Sequence, residues 1–107
     1  MGNPGEFELL VLLAILRLGD DAYGVTVREE LERETSRTLT LGGVYKTLGR
    51  LEGKGYLHTR VAPPTRERGG RRKKLYGLTP SGLEVARRSL TDLRRMTEGL
   101  EPELKLS

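Results

Sequence analysis

A mainly helical α+β domain carrying one small β-hairpin is what this sequence predicts, and three observations predict it. Apolar residues recur at helical spacing in four separate segments. Two short segments, residues 56–61 and 74–78, read as strands and flank a polar stretch rich in glycine and arginine. A length of 107 residues allows one domain, or one domain with an arm.

The elements follow in order. Residues 6–18 form a first helix, because Phe7, Leu9, Leu10, Val11, Leu12, Leu13, Ala14, Ile15, Leu16 and Leu18 cover almost the whole cylinder. Such a helix is buried on more than one side, against its own domain and often against a partner. Asn3-Pro4-Gly5 punctuates its start, and Gly19-Asp20-Asp21 supplies a C-cap and turn. A second helix covers about residues 24–35, with Val25, Val27 and Leu31 as a narrow apolar stripe. Thr38-Leu39-Thr40 is β-prone and is expected to be able to add one edge strand. The third helix runs from about residue 42 to 54 and stops at Gly55; Val44, Leu48 and Leu51 share its inner face. After the hairpin, Thr79 at N-cap and Pro80 at N1 open a last helix that reaches about residue 98 and frays before Pro102. Three helices followed by a hairpin make a winged helix-turn-helix, here with an additional C-terminal helix. Residues 1–79 are expected to be the winged domain, and residues 80–107 a dimerisation helix and tail.

Composition narrows the chemistry. With no cysteine, the chain holds neither a disulfide framework, a zinc knuckle nor a thiol nucleophile. The single histidine, His58, excludes a His-rich metal site and is expected to pack on or cap the sheet. Asp20-Asp21 reads as a turn rather than a cation site, and Gly69-Gly70 lacks the Lys-Ser/Thr of a phosphate-binding loop. No metal, cofactor or catalytic residue is therefore expected, and the chain reads as non-enzymatic. No apolar run is long enough to span a bilayer, so a cytoplasmic protein without membrane attachment is the default.

The net charge of +4 is unevenly distributed. Residues 1–40 carry four basic and eight acidic side chains, residues 41–74 ten and two, and residues 75–107 five of each. One basic stretch on an otherwise balanced domain is the footprint of a polyanion partner. Charge alone leaves DNA, RNA and an anionic membrane surface open.

Three constellations sharpen that expectation. With Val44, Leu48 and Leu51 turned inward, Gly43, Tyr45, Lys46, Gly49, Arg50, Gly53 and Lys54 fall on the outer arc of the third helix. Glycine costs about 1 kcal/mol relative to alanine inside a helix, yet side-chain-free positions let a helix approach a groove wall closely. Tyr45, Lys46 and Arg50 supply donors of the kind a recognition helix sends to bases and phosphates; Tyr45 could instead pack its ring on the sheet. The hairpin tip gathers Arg66, Arg68, Arg71, Arg72 and Lys73, with Glu67 as its one acid, and reads as a wing for the phosphate backbone or the minor groove. The last helix presents Leu83, Ala86, Leu90, Leu93, Met96 and Leu100 as a stripe longer than a three-helix core can cover. Together with Phe7 of the first helix, this stripe is the expected interface of a homodimer. Double-stranded DNA is the expected partner. An RNA- or protein-binding winged helix is the alternative, and few aromatics are present to stack single-stranded bases.

Several of these segments resemble the PadR family of bacterial transcriptional regulators. They are Glu8-Leu9-Leu10-Val11-Leu12-Leu13-Ala14-Ile15-Leu16, Ala22-Tyr23-Gly24-Val25, the run from Gly42 to Gly55, and the run from Arg68 to Gly82. The most specific part is Tyr45-x-x-Leu48-x-Arg50-Leu51-Glu52. The resemblance is to the short subfamily, with one C-terminal helix. It implies a dimeric winged-helix repressor on an inverted-repeat operator, with Tyr45 and Arg50 as operator contacts. It also implies that Tyr23 and Gly24 orient the helix before the recognition helix. Two departures stand out. Lys46 occupies a position where many relatives carry proline or a small residue. The chain also lacks the tryptophans with which some short members hold planar drugs, so any effector is expected to be small and to sit among leucines and Met96.

Overall fold

The computed structural model describes residues 4–63 and 73–106. Among these the chain runs α1 (Glu6–Leu18), a 3-10 turn (Gly19–Asp21), α2 (Gly24–Glu34), α3 (Leu41–Gly53), β1 (Leu57–Val61), β2 (Lys74–Leu78), α4 (Pro80–Thr97) and the single turn α5 (Glu101–Leu104). This is the winged helix-turn-helix order with a C-terminal helix appended, as the periodicity predicts.

Helix α1 is the spine, touching α2, α3, α4 and β2. Its apolar circumference is used on several sides: Leu9, Val11, Leu12, Ala14 and Ile15 are all buried. Each leucine taken out of water in this way contributes about 1.5–3 kcal/mol. The helix ends at Gly19, where φ is +59°, a backbone value that glycine adopts at little cost. Helix α2 is tied to the preceding turn through Thr26, whose Oγ1 accepts from the Tyr23 N–H at 3.0 Å and donates to the Asp21 carbonyl at 2.5 Å. Val27 and Leu31 face the core. Glu30 is also buried; Arg17 Nε donates to it at 2.5 Å and Arg33 donates as well. The hydrogen bond from Arg17 leads the effects that hold the Glu30 carboxyl below its ordinary range.

The expected strand at Thr38-Leu39-Thr40 does not form; among the described residues the sheet has the two strands β1 and β2. The hydrogen-bonding groups of that segment are committed to the turn between α2 and α3. The Leu39 N–H donates to Glu32 Oε2 at 2.8 Å, and Thr40 caps α3 by accepting the Gly43 N–H at 3.0 Å. The flank of β2 is met instead by Ala22, whose carbonyl accepts the Tyr76 N–H at 2.8 Å. The strands pair antiparallel, with Leu57 opposite Leu78, His58 opposite Gly77 and Thr59 opposite Tyr76. Tyr56 and Tyr76 are core residues, and the His58 ring lies over Gly77, where a Cβ would come within 2.6 Å of it.

Helix α4 starts where its capping residues predict. Thr79 Oγ1 accepts the Gly82 N–H at 3.0 Å and donates to the Gly55 carbonyl at 2.6 Å, while the Thr79 N–H donates to the Tyr56 carbonyl at 3.0 Å. Gly82 passes so close that a Cβ there would lie 2.1 Å from the Tyr56 oxygen. The buried residues of α4 are Gly82, Val85, Ala86 and Ser89, all in its first half. From Leu90 to Thr97 the helix continues without a buried residue. The expected fraying into Pro102 is replaced by a break at Gly99 (φ +83°) and a new turn, α5, with Pro102 at its start.

Candidate nucleic-acid interface

Helix α3 separates its two faces cleanly. Val44, Leu48 and Leu51 are buried, joined by Thr47, which the apolar pattern does not single out. Gly43, Tyr45, Lys46, Gly49, Arg50, Gly53 and Lys54 are exposed along the opposite arc. Among the described residues, nothing lies within 4 Å of where a Cβ would stand on Gly49 or Gly53. The fold itself therefore does not require glycine at either position, although each lowers helix propensity.

Tyr45 is 46% exposed, and its ring is seated against the start of α2. A Cβ on Gly24 would stand 2.4 Å from the ring carbons, so the absent side chain is what lets the ring lie there. Beside it, Lys73 Nζ lies 4.4 Å above the Tyr23 ring and 3.4 Å from its hydroxyl. Tyr23 and Gly24 thus join the start of α2 to the outer face of α3 and to the base of the hairpin. Lys74 Nζ bonds Glu52 Oε1 at 3.3 Å, a second link between hairpin and α3. The Glu52 carboxylate leads the effects that raise the Lys74 pKa, so this ammonium stays charged. Burial pushes the neighbouring Tyr76 phenol up, keeping it neutral. Arg66, Arg68, Arg71 and Arg72, expected as the wing, lie outside the described residues.

Arg50 has a partner that sequence spacing does not disclose. Its Nε donates to Glu8 Oε2 at 2.9 Å, and its Nη2 lies 3.4 Å from Thr47 Oγ1. Lys54 Nζ reaches both Glu8 oxygens at 3.2 Å, and the Gly5 N–H donates to Oε1 at 3.3 Å. Glu8 itself is 8% exposed. Burial alone would raise its pKa, but the bonds from Arg50, Lys54 and Gly5 outweigh that and hold the carboxyl below its ordinary range.

On the far side of the domain, Leu83, Leu90, Leu93, Met96 and Leu100 are each at least 40% exposed. Ala86 is taken into the protomer's own core, and Phe7 is half-buried, with the Arg37 guanidinium 5.6 Å from its ring centre. Leu16, not singled out from the sequence, joins the exposed leucines. Its signal was the all-round apolarity of α1. A groove of about 390 Å³ opens between α1 and α4, lined by Leu13, Leu16, Leu83, Ala86 and Leu90 with Arg87 and Arg94 nearby. Among the described residues, no helix is long and apolar enough to cross a membrane, and no cluster of side chains could hold a metal ion.

Comparison with known proteins identifies this arrangement. Residues 12–88 match the model of the transcriptional regulator PadR-like family. The chain is similar to a PadR-like transcriptional regulator from Bacillus cereus, with a TM-score of 0.75 and 18% identity over 94% of this chain and 93% of that one. It is similar to a PadR family transcription regulator from Clostridium difficile, with a TM-score of 0.68 and 23% identity over 94% and 99%. Bacillus subtilis PadR, solved in complex with operator DNA, matches with a TM-score of 0.64 and 24% identity over 81% of this chain and 48% of that one. No curated protein gives a match. At these identities the structures speak for the fold, and the match to the family model, which spans most of the chain, speaks for membership. The chain belongs to the PadR-like family of transcriptional regulators.

Proposed function

We propose that the protein is a double-stranded-DNA-binding repressor that acts as a homodimer on an inverted-repeat operator in the cytoplasm. The observation that carries the reading is the outer arc of α3. It offers Lys46, Arg50 and Lys54 beside Gly49 and Gly53, two glycines that no contact among the described residues requires. A major-groove wall explains both, since cations meet phosphates and missing side chains permit close approach. Gly43, Tyr45, Lys46, Gly49 and Arg50 are the contacts on the recognition helix. Lys73, with Arg66, Arg68, Arg71 and Arg72, forms the wing on the phosphate backbone. Bacillus subtilis PadR, whose fold this chain shares, has been solved with operator DNA, and that supports the choice of partner.

Residues 1–79 read DNA in this proposal, and residues 80–107 pair two copies. The pairing is supported by the second half of α4, which continues past the domain with exposed Leu93 and Met96. Phe7, Leu83, Leu90 and Leu100 complete the interface, whereas Ala86 belongs to the core of its own copy. The α1–α4 groove, which shares Leu83 and Leu90 with that interface, is the place for a small apolar effector. Two-fold symmetry would set the recognition helices on successive major grooves, about 34 Å apart for half-sites one turn apart.

Selection of bound fragments from random duplex DNA by the purified protein tests the reading. The expected result is a symmetric site with half-sites about one helical turn apart. Absence of enrichment, or a preference for duplex or single-stranded RNA in competition, would overturn it.

A further inference from the structure

We propose that Glu8 is a positioning residue for DNA recognition, one that aims the Arg50 guanidinium and offsets part of the charge at the C-terminal end of α3. The inference rests on the DNA-binding reading above and adds a residue on a helix that would not itself enter a groove.

Glu8 sits on α1, 42 residues before Arg50 in sequence. Both carboxylate oxygens are shared: Oε1 takes the Gly5 N–H and Lys54 Nζ, while Oε2 takes Arg50 Nε and Lys54 Nζ. An arginine fork has five N–H donors in a fixed plane. Glu8 and Thr47 engage Nε and Nη2, which leaves Nη1 and the remaining Nη2 hydrogen in a plane set by the protein before any DNA arrives. A fork held this way loses less freedom when it meets two acceptors on a base edge, and it cannot swing as readily to an arbitrary phosphate.

The energetics argue against a purely structural role. Burying the Glu8 carboxylate costs desolvation, its two partners Arg50 and Lys54 stay about half exposed, and a well-packed apolar residue usually serves stability as well or better. Helix α1 is apolar on nearly every side, so an apolar residue at position 8 would be the cheaper way to dock α3. The carboxylate stands instead directly behind two of the three cations on the α3 face. Its negative charge reduces the local sum for Lys46, Arg50 and Lys54, and with it the attraction to DNA of any sequence.

The test uses the full-length protein with the selected operator and a scrambled duplex of equal length, titrated by fluorescence anisotropy at several KCl concentrations. In Glu8→Gln, scrambled-DNA affinity is expected to rise and its salt slope to steepen by up to about 0.9 per subunit, the share of one added phosphate contact. The ratio of operator to scrambled affinity is expected to fall at least about fivefold, the lower end of what one bidentate base contact provides. A lowered stability with ratio and slope unchanged would overturn the inference. Arg50→Lys, which keeps the charge and loses the fork, should lower the ratio alone, and adding Glu8→Gln should lower it little further. If Glu8→Gln does not fold, full discrimination in Arg50→Lys overturns the inference by itself. Failure of the unmodified protein to prefer any duplex would instead refute the DNA-binding reading.

Discussion

Gly82→Ala separates close packing from helix propensity, because the two predict opposite signs. An added Cβ would stand 2.1 Å from the Tyr56 carbonyl oxygen, whereas ordinary contact begins at 3.4 Å, so about 1.3 Å of displacement is needed. The obstructing atom is backbone, and it already accepts the Thr79 N–H at 3.0 Å. Moving it also disturbs the Thr79 cap, whose hydroxyl bridges Gly55 and Gly82. Overpacking of this kind costs about 1–3 kcal/mol, and a lost N-cap about 1 kcal/mol more. Alanine returns about 1 kcal/mol of helix propensity, leaving a net loss of roughly 1–3 kcal/mol by these magnitudes. With a urea m-value of about 1–3 kcal/mol/M, the unfolding midpoint should drop by roughly 1 M. Circular dichroism at matched protein concentration measures this, since pairing of copies would make stability concentration-dependent. A Gly82→Ala protein as stable as the original, or more so, would refute the docking of α4 on the Gly55-Tyr56 turn.

Gly49→Ala should behave in the opposite way: with no described residue near the Cβ position, stability rises by about 0.5–1 kcal/mol, while anisotropy titration shows weaker operator binding. Leu93→Asp places a charge in the proposed interface, and light scattering should then report a monomer; an intact dimer would remove α4 from that role. Arg71→Ala with Arg72→Ala should weaken binding to all duplexes and flatten the salt slope by about 0.9 for each lost phosphate contact, and an unchanged slope would take the wing off the DNA. Acid should destabilise the fold through Glu8 and Glu30. Their folded pKa values lie below the ordinary 4.5, so their contribution is fully present above that value and is lost as pH falls through the folded values. Urea midpoints measured from pH 7 to pH 3 should therefore fall at the acid end, and Glu8→Gln should reduce that fall.

What could be read from the sequence was whatever local chemistry decides. Helix α1 and strand β2 begin and end where apolar spacing and punctuation place them, and Thr79-Pro80 opens α4 at the expected residue. The inner face of α3 followed from three apolar residues at helical spacing. What escaped was settled by partners distant in sequence. Thr38-Leu39-Thr40 has strand propensity, but Glu32 and the α3 cap claim its hydrogen-bonding groups, and Ala22 takes the place beside β2. Glu8 sits in an apolar run as an acidic residue in a first turn, and nothing local announces that Arg50 and Lys54 close on it from α3. The seat of Tyr45 on Gly24 depends on how two helices cross, which no periodicity records.

The double clamp at the foot of the hairpin carries a consequence for how this architecture can vary. Tyr56 is fastened to Leu51 on one side and to Thr79 on the other, while Tyr76 is fastened to Ala22. Both arms are thus moored to the helical body by bonds whose partners all lie outside residues 64–72, so the anchoring of the hairpin and its proposed reach toward DNA rest on separate residues.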